Sequence, residues 1–345
     1  GDWTMSELGG RTLDWVDGAI LMVDQTKLPT SVEMLRITMV SDLVDAIRRL
    51  SVRGAPAIGV AGAFGVALAA STNGVGTPGF EADVESIRSA RPTAVNLAKM
   101  VDRVVSVSGG GPEAVLAEAM AVRNEELAAS LHMGDRGADL MAEITGGSGS
   151  IRALTICNTG GLASVERGTA LAVIQTLHER GCLEEAIALE TRPLLQGARL
   201  TAWELQQMAA PFRLIVDSAG PHLISRGFAD VVLAGADRIA ANGDTANKIG
   251  TFSLALAARH SGVPFVIVAP ESTIDMATAC GGDIQIENRG DDEVVCFGGV
   301  PVAPEGTRTI NPAFDVTPSD LITAIVTDTR VVRLDQGETL DTVRS

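Results

Sequence analysis

The sequence predicts an α/β protein, with a small N-terminal α+β domain over residues 1–148 and a doubly wound parallel-sheet domain over residues 149–345. Three observations predict it. Behind Ser150, short continuous apolar runs alternate with helical stretches, the pattern of parallel strands covered on both faces. Ahead of it, helical periodicity dominates after one hairpin signal. Between them lies Gly146-Gly-Ser-Gly-Ser150, a cluster suited to a domain boundary.

Residues 1–10 carry no periodicity and read as a partly disordered arm. Leu13-Asp-Trp-Val16 and Ala19-Ile-Leu-Met-Val23 flank Asp17-Gly18, a hairpin signal. Leu43, Val44, Ile47 and Leu50 fall at helical spacing, and further helices are expected over 55–70, 79–88, 92–107 and 112–132. The near-apolar run Ala55–Ala70 is shorter than the roughly twenty residues of a membrane span, so it reads as a buried helix. Its Gly59, Gly62 and Gly65 are spaced GxxGxxG, inside a helix, which indicates close helix packing and not a dinucleotide fingerprint.

In the second half, strands are expected at 153–156, 186–189, 213–216, 230–233 and 265–268, with helices at 162–180, 197–209, 221–227 and 248–261. Polar groups follow each strand: Cys157-Asn158, Glu190-Thr191-Arg192, Asp217-Ser218, Asp237-Arg238 and Glu271-Ser272. In open α/β sheets, ligands bind beyond the carboxyl ends of the strands, so a polar cleft is expected there.

Composition narrows the function. Hydrophobic residues make up 46% and charged residues 20%, enough for a sizeable core. A net charge of −16 argues against nucleic-acid binding, while a few local Arg and Lys residues suffice for one phosphate. The four cysteines form no CxxC pair and the four histidines no HxxxH pair, so no metal site is expected. No signal peptide is read, and free thiols in a reducing cytoplasm are expected.

Four motifs bear on chemistry, each with an ordinary reading beside it. Cys157-Asn-Thr-Gly-Gly161 is a strand-to-helix turn, where a helix N-terminus lowers a thiol pKa; it equally suits a buried structural cysteine. Asp237 follows an apolar strand and small residues, as a raised carboxyl in a dry pocket would, or a helix cap. Arg53-Gly-Ala-Pro56 opens the long apolar helix, a phosphate-binding arrangement or a surface arginine. Asn247-Lys248 is open to the same two readings.

The chain resembles the methylthioribose-1-phosphate isomerase family. The blocks that carry the resemblance are Val23–Pro29, Arg53–Ile58, Arg91–Leu97, Cys157–Gly160, Glu190–Thr201, Gly235–Asp244, Asn247–Thr251 and Asn311–Pro318. They span about 15 to 335, in family order. The resemblance implies a homodimer of two-domain chains, a small sheet plus helices followed by a Rossmann-like domain, related to regulatory subunits of a translation-initiation exchange factor. It implies Cys157 and Asp237 as the catalytic pair, and Arg53, Gly54, Ala55, Arg91, Gln196, Asn247 and Lys248 as substrate and phosphate contacts. The reaction needs no redox cofactor or metal, and neither nucleic acid nor membrane is expected as a partner.

The expected reaction is the aldose–ketose isomerisation of 5-methylthioribose 1-phosphate, or a close 5-deoxy or 5-halo-5-deoxy analogue, to the ribulose 1-phosphate. Methionine salvage, or salvage of 5-deoxyribose compounds, is the expected context. The alternatives are a ribose 1,5-bisphosphate isomerase and a non-catalytic regulatory subunit; an oxidoreductase is disfavoured by the missing fingerprint. Two segments depart from the family pattern. Leu162-Ala-Ser-Val-Glu-Arg-Gly168 replaces Leu-Ala-Thr followed by a Gly-Tyr-Gly turn, and Asp217-Ser-Ala-Gly220 replaces Asp-Asn-Met-Ala. Both bear on the group accepted at the sugar 5-position.

Overall fold

The computed structural model describes residues 5–147 and 149–345. Residues 1–4 of the expected arm lie outside the described residues, and residues 5–10 form turns with Leu8 buried, in place of a disordered arm. The chain divides into two compact units, Gly1–His132 with Asn158–Ala172, and Met133–Cys157 with Val173–Ser345.

The first unit opens with β1 (Leu13–Val16), β2 (Ala19–Val23) and β3 (Met34–Ile37), an antiparallel sheet in that order. Asp17 and Gly18 link β1 to β2 with φ of 49° and 74°, the two positive values that a tight hairpin turn of matching twist requires. Helices α1 (Val40–Arg48), α2 (Ala55–Asn73), α3 (Pro78–Arg88), α4 (Val95–Val105) and α5 (Pro112–Ile144) follow. By length and composition α2 could cross a membrane, yet Ala57–Ala70 is buried throughout within this unit. Its glycines permit that packing. A Cβ at Gly59 would meet the Asn96 amide at 2.5 Å, one at Gly62 the Leu97 side chain at 2.6 Å, and one at Gly65 the Leu43 side chain at 2.4 Å.

Two helix expectations are corrected here. The helix expected over 92–107 is confined to Val95–Val105, because residues 91–94 form a turn closed by Ala94 N–H on Arg91 O. The helix expected over 112–132 runs on to Ile144, with Met133, Ala138, Leu140 and Met141 buried at helical spacing.

The second unit, which takes in α5 from Met133 and α6 from Val173, continues with β4 (Ile151–Thr155), α6 (Ala170–Glu179), β5 (Leu183–Leu189), a π-helical turn over Gly197–Thr201, α7 (Ala202–Gln207), β6 (Phe212–Ile215) and α8 (Ala219–Ser225). It continues through β7 (Val231–Ala234), β8 (Arg238–Ala240), β9 (Thr245–Lys248), α9 (Thr251–Ser261), β10 (Phe265–Val268) and β11 (Ile274–Asp275). Then come α10 (Asp292–Val295), β12 (Cys296–Phe297), β13 (Val300–Pro301), β14 (Phe314–Thr317), β15 (Ala324–Val326) and β16 (Val331–Val332).

The main sheet has the order β16-β15-β10-β7-β4-β5-β6, parallel except for β16. Leaving out β16, this is the doubly wound Rossmann order, with the direction of winding reversing between β4 and β7. Leu154, Ile187, Val232 and Ile267 pack with Ile224 of α8 and with Leu254 and Ala258 of α9. The alternate residues Ala153, Ala186, Val231 and Val266 are equally buried, so both faces are covered. A second sheet, β11-β8-β9-β14, and the β12–β13 hairpin stand beside it in sequence and were absent from the expectation.

Three expectations need correction in this half. Residues 162–169 are not α-helical, Gly161–Ala163 forming only a single 3-10 turn, and α6 starts at Ala170. The carbonyls of Leu162 and Val165 are taken by Gln25 and Thr12, and Gly168 adopts φ 87°. The helix expected from 197 opens as a π turn. The helix expected from 248 starts at Thr251, because Thr245–Lys248 pairs as a strand with β14.

Candidate active site

All five polar groups expected beyond strand ends are found there, after β4, β5, β6, β7 and β10. Cys157 lies two residues past β4 and Asp237 three residues past β7. These strands are neighbours, paired Thr155 to Leu233 at their last rungs, and they flank the point where the winding reverses. The two residues therefore sit at the position where this architecture binds ligands.

Cys157 is held in an uncommon backbone conformation. Its φ is +63°, a left-handed value that costs a non-glycine residue about 1–2 kcal/mol. Such a conformation persists only where the surroundings determine it. The Cys157 N–H donates to Thr191 Oγ1 at 2.8 Å, and Thr201 Oγ1 donates to the Cys157 carbonyl at 2.6 Å. Thr201 ends the π turn, whose close approach depends on Gly197: a Cβ there would lie 1.6 Å from Leu189 O. Thr191 and Leu195 are also left-handed, at φ 65° and 59°. Asp217 grips this loop, accepting the Thr191 and Arg192 N–H groups at 2.7 Å each.

Gln196 stands in the same loop and is 5% exposed, yet its Oε1 has no hydrogen-bond partner. A buried amide without a partner is costly, and a ligand hydroxyl would relieve it. Asp237 is exposed, contrary to the dry pocket expected around it, because it stands on the short link between β7 and β8 after Gly235-Ala236. Its N–H is bound to Ala246 O.

Asn247 and Lys248 end β9. Asn247 is buried and donates to Thr251 Oγ1 at 3.0 Å, while the Lys248 ammonium lies 4.8 Å from the centre of the Phe314 ring. Asp315, the register partner of Asn247, accepts from Gly250 N–H at 2.8 Å and Phe252 N–H at 3.2 Å, so the first turn of α9 already holds an anion. Burial pushes the Asp315 carboxyl up to about 6, against the opposing pull of those amides.

The remaining expected contacts belong to the first unit. Arg53 donates from Nη1 to Asn158 Oδ1 and from Nη2 to Asn158 O, both at 2.7 Å, which leaves three of its five N–H groups for other acceptors. Asn158 is the residue after Cys157 and is buried. Gly54 precedes α2 with φ 97°, and a Cβ there would lie 2.6 Å from Ala163 O. No side chain caps α2 and its first turn carries no acid, so its N-terminus has the character of an anion site. Asn96 donates to Ala55 O at 2.6 Å and steadies that turn. Arg91 lies in the turn before α4. Among the described residues, no three His, Cys, Asp or Glu side chains are grouped to hold a metal ion.

Sequence reasoning did not single out Thr201, Asp315 or Asn96. Asp315 and Asn96 lie inside family blocks already noted, Asn311–Pro318 and Arg91–Leu97. Thr201 closes the Glu190–Thr201 block, but nothing local marks its hydroxyl as a partner of Cys157.

The Initiation factor 2 subunit family (IF-2B) model matches residues 51–333. The methylthioribose-1-phosphate isomerase of Xanthomonas oryzae pv. oryzae is 49% identical over 331 residues, covering 93% of this chain and 92% of that protein. A 5-deoxyribose 1-phosphate isomerase of Moorella thermoacetica is 46% identical over 334 residues, covering 93% of each. A probable bifunctional methylthioribose-1-phosphate isomerase/methylthioribulose-1-phosphate dehydratase of Nocardia farcinica is 48% identical over 95% of this chain, which spans only 60% of that relative's length. The crystal structure of 5-methylthioribose 1-phosphate isomerase from Pyrococcus horikoshii superposes with a TM-score of 0.87 at 40% identity, over 96% of this chain and 95% of that one. The translation initiation factor eIF-2B subunit delta from A. fulgidus gives 0.80 at 37% identity, over 94% and 96%. The chain therefore belongs to the methylthioribose-1-phosphate isomerase family, within the wider initiation factor 2 subunit family.

Proposed function

We propose that the chain isomerises a 5-substituted ribose 1-phosphate, with 5-methylthio as the first expectation, to the corresponding ribulose 1-phosphate. The observation that carries the reading is the placement of Cys157 and Asp237 beyond the ends of adjacent strands at the winding reversal. The substrate's C1 is locked in a ring by its phosphate, so the ring must open with phosphate retained. Asp237 donates a proton to the ring oxygen as the C1–O bond breaks. The hydrogen on C2 moves to C1, and the C2 hydroxyl becomes the carbonyl by giving its proton to the Asp237 carboxylate left by the first transfer. Cys157 acts either as the base at C2 or as the group that stabilises charge beside a hydride shift. Because Asp237 is exposed, desolvation of its carboxyl comes with the bound sugar.

Arg53, Gly54, Ala55, Arg91, Asn247 and Lys248 are assigned to the substrate and its phosphate, and Gln196 to a sugar hydroxyl. A homodimer in the cytoplasm is carried with the reading. The retained Cys157 and Asp237 speak against a purely regulatory subunit. The Moorella relative favours one second reading, a 5-deoxy substrate. The test is turnover of purified protein on 5-methylthio-, 5-deoxy- and 5-phosphoribose 1-phosphate. Turnover of an uncharged 5-substituted sugar is expected, with discrimination between the two uncharged groups of about 10- to 200-fold. Preference for the bisphosphate would move the assignment to that isomerase, and no turnover of any of the three would contradict the reading.

A further inference from the structure

The conformation of Cys157 has an identifiable cause, and it lies in a residue 34 positions away. Thr191 Oγ1 has a single hydrogen, which it donates to Leu189 O at 3.0 Å. Its lone pairs are left to accept, and the Cys157 N–H points at one of them. Thr191 is 1% exposed, so no water competes for that contact. Thr191 is itself left-handed, and both oxygens of Asp217 hold the loop by the N–H groups of Thr191 and Arg192. Asp217 stands beyond β6, Thr191 beyond β5 and Cys157 beyond β4, so the chain of contacts crosses three successive strands of the sheet.

We propose that Thr191, held by Asp217, is a positioning residue for the isomerase reaction: its hydroxyl fixes Cys157 in the left-handed conformation that aims the thiol. The inference rests on the assignment of Cys157 to the chemistry. In Thr191→Val the shape is kept and the acceptor is lost. The Cys157 N–H then loses its acceptor, the Thr201 contact on the carbonyl alone does not fix φ, and the Cβ and sulfur swing away from their present direction.

Thr191→Val, Thr191→Ser, Asp217→Asn and Cys157→Ser are assayed beside the wild type for kcat and KM on 5-methylthioribose 1-phosphate. The rate of iodoacetamide labelling at Cys157 is followed against pH by mass spectrometry. Thr191→Val is expected to lower kcat by about 10- to 100-fold, the scale of a misplaced reacting group, with KM nearly unchanged and with an altered labelling profile. Thr191→Ser, which keeps the hydroxyl, restores both. Asp217→Asn, which turns one acceptor into a donor, lowers kcat by a smaller factor of about 3 to 10. If Thr191→Val does not fold, Asp217→Asn decides on the same two readouts. Unchanged kcat and unchanged labelling in whichever variant folds overturns the inference, provided Cys157→Ser is inactive. If Cys157→Ser keeps wild-type turnover, the assignment of Cys157 fails first, and the positioning role falls with it.

Discussion

Among the described residues, six non-glycine residues have positive φ, and they fall into two groups that arise differently. Asp17 belongs to the β1–β2 hairpin. Leu50 and Ala209 stand just past α1 and α7, where the following N–H groups of Ser51 and Ala210 reach back to Ala46 O and Leu205 O. Left-handed residues are ordinary at such helix ends, and glycine would serve as well. Cys157, Thr191 and Leu195 close no helix and turn no hairpin. They cluster at the carboxyl edge of the main sheet; Cys157 and Thr191 are held by side chains, the hydroxyls of Thr191 and Thr201 and the carboxylate of Asp217, and Leu195 follows from its N–H on Thr191 O. Where strain ends an element it is incidental. Where distant side chains enforce it, it marks a place whose geometry matters.

The comparison can be sharpened with two glycines. Gly197 lies under the site and Gly227 lies past α8, with φ 78° and nothing within 4 Å of an added Cβ. Gly197→Ala must displace the π turn, and with it Thr201. A stability loss of about 3 kcal/mol or more and a collapse of kcat are expected, measured by denaturant unfolding and turnover. Gly227→Ala is expected to cost about 1 kcal/mol and to leave turnover intact. Similar losses in both would show that the π turn has no special bearing on Cys157.

Arg53 tests the phosphate assignment. Arg53→Ala is expected to raise KM by about 10- to 100-fold, the worth of a lost charged hydrogen bond, and by a similar factor for every 5-substituent. Strong discrimination among 5-groups would move Arg53 to the other end of the sugar.

Asp315 gives a pH test. Its folded-state pKa of about 6 lies above the ordinary 3.8, so the folded chain binds more protons between those values. Its stabilising contribution is therefore complete below the lower value and is lost as pH rises through about 6. Asp315→Asn removes this dependence, and its stability is expected to change less between pH 4 and pH 7 than the wild type's by on the order of 2 kcal/mol. Parallel pH curves for the two proteins would refute the burial argument.

The smallest effect concerns the ordinary group. Leu50→Gly and Ala209→Gly relieve left-handed strain but loosen the unfolded chain, so each is expected to change stability by less than about 1 kcal/mol, with turnover untouched. A loss of turnover in either would dissolve the distinction between the two groups.

Much of this architecture was legible in the sequence. The apolar runs at 153–156, 186–189 and 265–268 lie on β4, β5 and β10, and Asp17-Gly18 turns the first hairpin, because strand burial and tight turns leave local signals. The GxxGxxG spacing was read as packing, and each glycine of α2 abuts a side chain from another helix. The irregular stretch 162–169 was not legible, since its carbonyls are captured by Thr12 and Gln25, about 150 residues earlier in the chain. The second sheet was missed because β8 and β9 are short and Asn247-Lys248 reads as a polar turn. The left-handed Cys157 was beyond reach, because cysteine carries no local preference for it and its determinants come from β5, β6 and the π turn.

The central claim is that Cys157 and Asp237 carry the isomerisation. The most direct measurement is conversion of 5-methylthioribose 1-phosphate to the ketose, followed by NMR, for the wild type, Cys157→Ser and Asp237→Asn at equal folded concentration. The expected result is turnover by the wild type and a loss of about a hundredfold or more in each variant, the scale of a missing acid–base group. Wild-type-like conversion by either variant would remove that residue from the mechanism, and conversion by both would contradict the claim.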